Sequence, residues 1–123
     1  NFAEAHSNLG SLLTDLGKLK EAESSLRKAI KLKPIFAKAH SNLGGILFDL
    51  GRLKEAEIST RQAIELDPSL PMPHSNLGNI LRDLGKLKEA ELSTRKAIEI
   101  NPNLLEAYTY LGRILKDLEE SES

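Results

Sequence analysis

The chain of 123 residues contains no cysteine and no tryptophan, and aromatic residues make up only 4% of it. Without cysteine it has neither disulfides nor a thiol nucleophile. No apolar run approaches the ~20 residues that a membrane-spanning helix requires, and no signal-peptide pattern opens the chain. These absences predict a cytoplasmic protein with no membrane partner.

Net charge and chemical motifs are scarce as well. With 17 basic and 18 acidic residues, the formal net charge is −1, and a near-neutral chain has no electrostatic reason to bind nucleic acid. No nucleophile–base pair and no glycine-rich phosphate loop is recognisable. His6, His40 and His74 recur every 34 residues and cannot converge on one metal ion, so we interpret them as packing residues. We expect no nucleic-acid partner, enzymatic activity, cofactor or metal site.

What the sequence does have is an internal repeat with a period of 34 residues. The string His-Ser-Asn-Leu-Gly begins at residues 6, 40 and 74, and the string Leu-Lys-Glu-Ala-Glu begins at residues 19, 53 and 87. Self-similarity with such a period indicates a stack of short structural units that share one continuous core. We assign three full units, 3–36, 37–70 and 71–104, and a partial fourth unit, 105–123, with room for a first helix only.

Each full unit is predicted to contain two helices, from about residue 3 to 16 and from about 19 to 32 in the first unit. Gly17 supplies the left-handed residue that commonly ends a helix, and Pro34 pushes the residue before it out of helical geometry. Another glycine recurs inside each first helix, although glycine there costs about 1 kcal/mol relative to alanine. We expect close approach of the second helix to offset that cost, at the pairs Gly10–Ala22, Gly44–Ala56 and Gly78–Ala90.

These units resemble the tetratricopeptide repeat (TPR), whose pattern is W-x2-L-G-x2-Y, then A-x3-F, then P. The first unit supplies that pattern with His6, Leu9, Gly10, Leu13, Ala22, Leu26 and Pro34. Histidine replaces the family's tryptophan, and Thr60 and Thr94 stand where a large apolar residue is usual. The resemblance covers essentially the whole chain. It implies an all-α, right-handed solenoid over residues 1–123, with three full repeats and a C-terminal capping helix.

One face of each first helix is polar and forms the candidate binding surface. At about 100° per residue, the residues Glu4, Asn8, Ser11 and Asp15 share one arc, opposite the apolar residues. In TPR proteins the first helices line a concave groove, so the resemblance implies that this arc faces the groove. The candidate peptide-binding residues are Asn8, Asn42, Asn76, Asn79, Lys38, Phe48, Arg82, Asp15, Asp49 and Asp83.

The asparagines Asn8, Asn42 and Asn76 form a ladder that is similar to the one in the TPR arm of O-linked GlcNAc transferases; the Ser-Asn-Leu-Gly string also resembles bacterial TPR arrays. A carboxamide both donates and accepts hydrogen bonds, so the ladder would hold the main chain of an extended peptide. Two alternatives stay open: the ladder is a relic of duplication, or each asparagine bonds its neighbour. For the aspartates three possibilities stay open: they contact the peptide, they are solvated, or they pair with Lys18, Arg52 and Lys86.

Two aromatic residues flank this arc. Phe48 is either an anchor for a ligand, beside the gap that Gly45 leaves, or a residue that packs against the next helix. Tyr110 interrupts the ladder and is expected to close off the groove. Charges on the arc are mixed, with acids at Glu4, Asp15, Asp49, Asp83, Glu106 and Asp117 and bases at Lys38, Arg82, Arg113 and Lys116.

The leading hypothesis is a protein-interaction module that binds an extended peptide or protein segment. The alternatives are a substrate-recruiting arm of a transferase whose catalytic domain lies elsewhere, and a self-assembling structural repeat. The carboxylate clamp of chaperone-binding TPRs needs a lysine at the fifth position of its first unit. Here that position holds Ser7, Ser41 or Ser75, which disfavours a chaperone C-terminal tail as the ligand.

The two ends of the chain carry separate expectations. Asn1-Phe2 matches Ile35-Phe36 at the end of a unit, and no methionine precedes it, so we expect a segment of a longer array. The last helix lacks the glycine that stops the others, so it should continue past Leu118 and fray over residues 121–123. Apolar residues left uncovered at both ends predict weak self-association.

Overall fold

The computed structural model describes residues 1–121 and contains seven α-helices and no strand over that range. The helices are α1 (Phe2–Asp15), α2 (Leu19–Leu32), α3 (Ala37–Asp49), α4 (Leu53–Leu66), α5 (Pro71–Asp83), α6 (Leu87–Ile100) and α7 (Leu105–Ser121). The chain is therefore an all-α repeat solenoid, as predicted. No helix of these residues is both long enough and apolar enough to span a bilayer.

The helices form two layers of different density. The helix pairs α1–α2, α3–α4 and α5–α6 each pack together, and the second helix of each pair also packs on the first helix of the next. The backbones of the first helices α1, α3, α5 and α7 approach one another in sequence, whereas the backbones of α2, α4 and α6 stay apart within residues 1–121; Arg27 of α2 reaches Glu55 of α4 only through its long side chain, at 3.7 Å. Because the stack is tighter along the first helices, these form the inner, concave layer. We call them the inner helices and α2, α4 and α6 the outer helices.

Glycine makes the turn between the two helices of each full unit. Gly17, Gly51 and Gly85 have φ angles of 78°, 80° and 82°, respectively, which confirms the predicted left-handed helix ends. At the first turn, the N–H of Gly17 donates to the carbonyl of Thr14, and the N–H of the next residue donates to the carbonyl of Leu13, both at 2.9 Å. The recurring turn places every outer helix antiparallel to its inner helix.

Gly10, Gly44 and Gly78 sit at close contacts, as expected, whereas Gly112 in α7 does not. A methyl group on Gly10 would lie 2.8 Å from Cγ of Leu26, and one on Gly44 would overlap Oγ1 of Thr60. The partner differs from the prediction, however. Thr60 and Thr94 fill the contacts of the second and third units, whereas the predicted alanines contribute only backbone carbonyl oxygens, 3.3 and 3.2 Å away.

The residue at position four of the second, third and fourth units, namely His40, His74 or Tyr108, forms a hydrogen bond with the preceding unit. Nε2 of His40 and of His74 lies 2.9 Å from the carbonyl oxygens of Pro34 and Pro68. Because a carbonyl only accepts, each ring donates this hydrogen bond. Tyr108 makes the same contact with Pro102 at 2.8 Å. The histidines therefore pack, as interpreted from the sequence, and they also order the junctions between units.

The last helix differs from the other inner helices. It continues past Leu118 to Ser121, which confirms that it does not stop where they do. The predicted fraying includes residues 122 and 123, which lie outside the described residues. Ile114 is fully buried, but Leu115 is 40% exposed, and Phe2 at the opposite end is 79% exposed. Self-association through these surfaces stays a prediction.

Candidate functional site

A groove of about 470 Å³ runs along the inner layer, and every residue that lines it belongs to α1, α3, α5 or α7. Its volume falls within the range of about 300–1,000 Å³ typical of ligand sites. Residues three, four and seven apart share one face of a helix, so each inner helix presents a short polar stripe here. The lining residues are Ser11, Thr14, Asp15, Ser41, Asn42, Gly45, Ile46, Phe48, Asp49, Met72, Asn76, Asn79, Glu106 and Tyr110.

Six of the ten candidate residues line this groove: Asp15, Asn42, Phe48, Asp49, Asn76 and Asn79. The other four, Asn8, Lys38, Arg82 and Asp83, lie outside it. Sequence reasoning did not assign Ile46 or Ser41 to the groove. Ile46 has an apolar side chain that is only 2% exposed, so nothing in its chemistry sets it apart from a core residue.

Two of the three asparagines in the groove, Asn42 and Asn76, also contact the preceding unit. Nδ2 of Asn42 lies 3.4 Å from Oγ of Ser11, and Nδ2 of Asn76 lies 3.5 Å from the carbonyl oxygen of Ser41. Both distances are longer than the roughly 2.7–3.2 Å that is usual for an N–H···O hydrogen bond. The bridging alternative is therefore present in a weak form. Each amide keeps its oxygen and a further N–H for a ligand.

A gap lies beside the asparagine of the third unit. A methyl group on Gly45 would stand 3.6 Å from Nδ2 of Asn76, so glycine leaves that side of the amide open. Larger residues at this position would occupy the space in front of Asn76. The arrangement therefore keeps the amide accessible from the groove.

The aspartates of the first three units end the inner helices and form no ion pair within 4.0 Å among residues 1–121. Asp15, Asp49 and Asp83 are the last residues of α1, α3 and α5. Within residues 1–121, none of the three is within 4.0 Å of a basic group. The alternative that Arg52 pairs with an aspartate is wrong, because its guanidinium binds Glu23 at 2.9 Å and Glu55 at 2.6 Å.

Asp49 is exposed overall, but its carboxyl is partly removed from water within the groove. This partial desolvation raises the pKa of the Asp49 carboxyl above its ordinary value of 3.8, because it disfavours the charged form. Asp117, the fourth aspartate of this series, is different: its carboxylate lies 2.7 Å from Nε of Arg82. The unpaired carboxylates are thus those of the first three units.

Phe48 and Tyr110 form apolar walls. Phe48 is half-buried and packs against the core while its remaining surface lines the groove, so it does pack within the protein, and its role as a ligand anchor stays a prediction. Tyr110 occupies the ladder position on α7. Burial raises the pKa of its phenol, Glu106 and Asp49 raise that pKa further, and Arg113 opposes them. The groove therefore ends at α7 in an aromatic ring placed near carboxylates.

The groove is acidic, not mixed in charge as the sequence count indicated. Its lining contains three carboxylates, those of Asp15, Asp49 and Glu106, and no lysine, arginine or histidine. All four bases counted from the sequence lie outside it, and one of them, Arg82, is paired with Asp117. Over residues 1–121, no three His, Asp or Glu side chains come together as a metal site.

Two protein-family profiles match this chain along its repeats. Residues 3–71 match a family profile described as tetratricopeptide repeat, and residues 72–104 match a second profile with the same description. A search of curated protein sequences returned no match.

Solved structures with this fold include two structures of a first TPR domain of RPAP3. The first TPR domain of human RPAP3 is 26% identical with a TM-score of 0.92, and the match covers 98% of this chain and 95% of that one. The first TPR of Spaghetti (RPAP3), solved with the HSP90 peptide SRMEEVD, is 26% identical with a TM-score of 0.89, covering 96% and 94%.

A Thermobaculum terrenum O-GlcNAc transferase mutant is also similar, at 24% identity and a TM-score of 0.90. That match covers 93% of this chain but only 22% of the transferase chain. At this identity the likeness concerns the fold alone.

Proposed function

This chain belongs to the tetratricopeptide repeat family, and on that premise we propose that it is a protein-interaction module that binds an extended peptide in the groove of its inner helices. The observation that carries the proposal is the placement of Asn42 and Asn76 one unit apart in the lining of a single groove. Their amides are polar, uncharged and only weakly engaged, so they suit a main chain of any sequence.

The spacing of the inner helices fits an extended ligand. Packed helices lie about 8–10 Å apart, and an extended chain advances at most about 3.3–3.6 Å per residue. Successive asparagines of the ladder would therefore contact main-chain groups that are about three residues apart along the peptide. The side chains between these points would face Phe48, Met72 and Tyr110 in the groove walls.

The RPAP3 domain solved with an HSP90 peptide supports a peptide as the class of ligand. It does not extend to the sequence of that peptide. Serine holds the fifth position of each full unit, and the groove here is lined by carboxylates alone among charged groups. A peptide that ends in Glu-Glu-Val-Asp would meet like charge along its length.

Selection from a random library of 12-residue peptides displayed on phage, followed by calorimetry of the tightest synthetic peptide, tests the proposal. We expect the double variant Asn42→Ala/Asn76→Ala to bind that peptide at least about fivefold more weakly, because each lost hydrogen bond contributes roughly 0.5–1.5 kcal/mol. The melting temperature should change little, since both amides are only weakly bonded in the free protein.

The matched control is Lys28→Ala/Lys96→Ala on the outer helices, which should leave the affinity unchanged. Undiminished binding by the asparagine variant would reduce the ladder to a relic of duplication. Failure to select any peptide at millimolar protein would refute the interaction module itself.

A further inference from the structure

The three carboxylates of the groove come from three separate helices. Asp15 ends α1, Asp49 ends α3, and Glu106 is the second residue of α7. Convergence from helices that far apart in sequence arises only from the curvature of the stack. The acidic character therefore belongs to the groove as a whole and not to one helix.

Local stability does not account for the two aspartates. The C-terminal end of a helix carries partial negative charge, so an acidic residue there is unfavourable. No basic group within residues 1–121 lies within 4.0 Å of Asp15 or Asp49 to offset that cost. A residue that disobeys a local rule without a compensating contact marks a place where function is expected.

Two of the cations outside the groove are engaged elsewhere: Arg82 binds Asp117 at 2.7 Å, and Arg52 binds Glu23 and Glu55. Arg113 is near enough to lower the pKa of Tyr110, but it does not line the groove. The uncharged groups in the lining are amides, hydroxyls and apolar side chains. Among the residues that line the groove within residues 1–121, the charged groups are thus three carboxylates.

The apolar walls add a second feature. The rings of Phe48 and Tyr110 and the thioether of Met72 line the same space as the carboxylates. Lysine and arginine bury their methylene stems on apolar surface while the charged head stays in a polar environment, and their cations are attracted to aromatic faces. Carboxylates beside aromatic rings are the surroundings that such side chains require.

From this charge complementarity we propose that the groove selects extended peptides that carry a lysine or arginine side chain, seated among Asp15, Asp49 and Glu106 against Tyr110. The inference rests on the proposed function and adds the class of side chain that the ligand supplies. The asparagines hold the main chain, and the carboxylates choose the side chain. The selectivity is opposite in charge to the acidic peptide that accompanies the similar RPAP3 domain.

The first measurement is the composition of the peptides that the phage library yields. Lysine and arginine should be enriched over aspartate and glutamate relative to the unselected library. The tightest peptide is then synthesised in three forms that differ only at its central basic residue, which is lysine, glutamine or glutamate. We expect the lysine form to bind about tenfold tighter than the glutamine form, equivalent to 1.4 kcal/mol, and the glutamate form to bind weakest.

Variants of the protein locate the selectivity. Asp49→Asn/Glu106→Gln should reduce the preference for lysine over glutamine to within about twofold, while the affinity for the glutamine form stays close to wild type. The matched control, Glu21→Gln/Glu89→Gln, makes the same change in net charge on the outer helices, where both residues are exposed. It should keep the full preference. In wild type, the preference should fall as sodium chloride rises from 50 to 500 mM (about a threefold shorter screening length).

Each alternative result has a definite meaning. Selected peptides with no basic enrichment, or with acidic enrichment, overturn the charge selectivity but leave the interaction module standing if the asparagine variant weakens binding. A preference for lysine that survives in Asp49→Asn/Glu106→Gln also overturns it. A library that yields no binding peptide overturns both proposals. Circular dichroism of each variant establishes that it is folded before its affinity is compared.

Discussion

The outer helices pair their glutamates with arginines, whereas the inner helices α1, α3 and α5 each end in an aspartate that forms no ion pair within residues 1–121. On the outer helices, three arginines each bind a glutamate one turn earlier at 2.9 Å: Arg27 with Glu23, Arg61 with Glu57, and Arg95 with Glu91. On the inner helices, Asp15, Asp49 and Asp83 end their helices without an ion pair inside residues 1–121. Pairs four residues apart stabilise a helix, whereas acids at its C-terminal end do not.

This difference separates two roles within one repeat. The outer layer satisfies its charges within a single helix or with the next unit, so it contributes to stability and offers little to a ligand. The inner layer leaves carboxylates and amides free in a groove. The contrast begins in the sequence, because each outer helix contains a Glu-x3-Arg pair, whereas Lys38 and Arg82 are the only lysine or arginine residues of α1, α3 and α5.

The largest expected effect comes from the contact between the two layers. Gly44→Leu should destabilise the protein by at least about 1–3 kcal/mol, the cost typical of overpacking, because even a methyl group there would overlap Oγ1 of Thr60. Urea unfolding followed by circular dichroism gives the change.

Gly112 provides the matched control, because a methyl group there would meet no atom within 4 Å. Gly112→Ala should therefore stabilise the protein by up to about 1 kcal/mol through helix propensity alone. Equal shifts in the urea midpoint for substitutions at the two glycines would show that the inter-layer contact at Gly44 is not tight.

An intermediate effect is expected on the outer layer. Glu23→Gln should destabilise the protein by about 0.5–1 kcal/mol, since its carboxylate binds Arg27 in its own helix and Arg52 in the next unit. Glu57→Gln loses only the pair with Arg61, and its cost should be about 0.3–0.5 kcal/mol. Thermal unfolding at low and high salt distinguishes them, and a larger cost for Glu57→Gln would contradict the bridging role of Glu23.

The smallest expected effect is an increase in the free energy of unfolding, caused by a substitution on the inner helices. The pKa of Asp49 is raised in the folded protein, so stability falls as pH rises through that pKa and the carboxyl ionises. Asp49→Asn removes this loss, but because Asp49 is exposed and solvent screens its charge, the stabilisation of the free protein at pH 7 should be small, well under about 1 kcal/mol. The groups that share the groove with Asp49 are acidic or neutral, namely Asp15, Glu106 and Tyr110, so none of them reverses the sign.

The gain should disappear below pH 3.8, the ordinary pKa of the group, where wild type is protonated too. Unfolding curves at pH 7 and pH 3 measure both limits. A loss of stability at pH 7 in Asp49→Asn would show that the carboxylate has a structural partner, and the comparison between the layers would then fail.

Most of the repeat architecture followed from residues that act locally. The period of 34 residues, the glycines with positive φ and the residues before proline placed the helices to within one or two residues. These features depend on backbone conformation and hydrophobic pattern, which are properties of a short segment. The continuation of α7 past Leu118 was predictable for the same reason, because the stopping glycine is missing there.

The set of residues that line the groove was harder to predict from the sequence. Helical periodicity identified a polar arc, but it could not tell that Arg82 turns to Asp117 or that Lys38 lies outside the lining. It also paired the inner-helix glycines with alanines, where Thr60 and Thr94 make the close contact. Each of these outcomes depends on how one helix is rotated and shifted against another.

The sequence by itself determined the seven helices, their turns and their grouping into units, because each is encoded within about 34 residues of chain. The tertiary structure decided which side of the stack is concave and which charges remain unpaired. Those features arise between units, from contacts such as Asn42–Ser11, Asn76–Ser41 and Arg82–Asp117, whose partners are 31 to 35 residues apart in the sequence. The acidic groove exists only because stacking brings the ends of α1 and α3 and the start of α7 around one space.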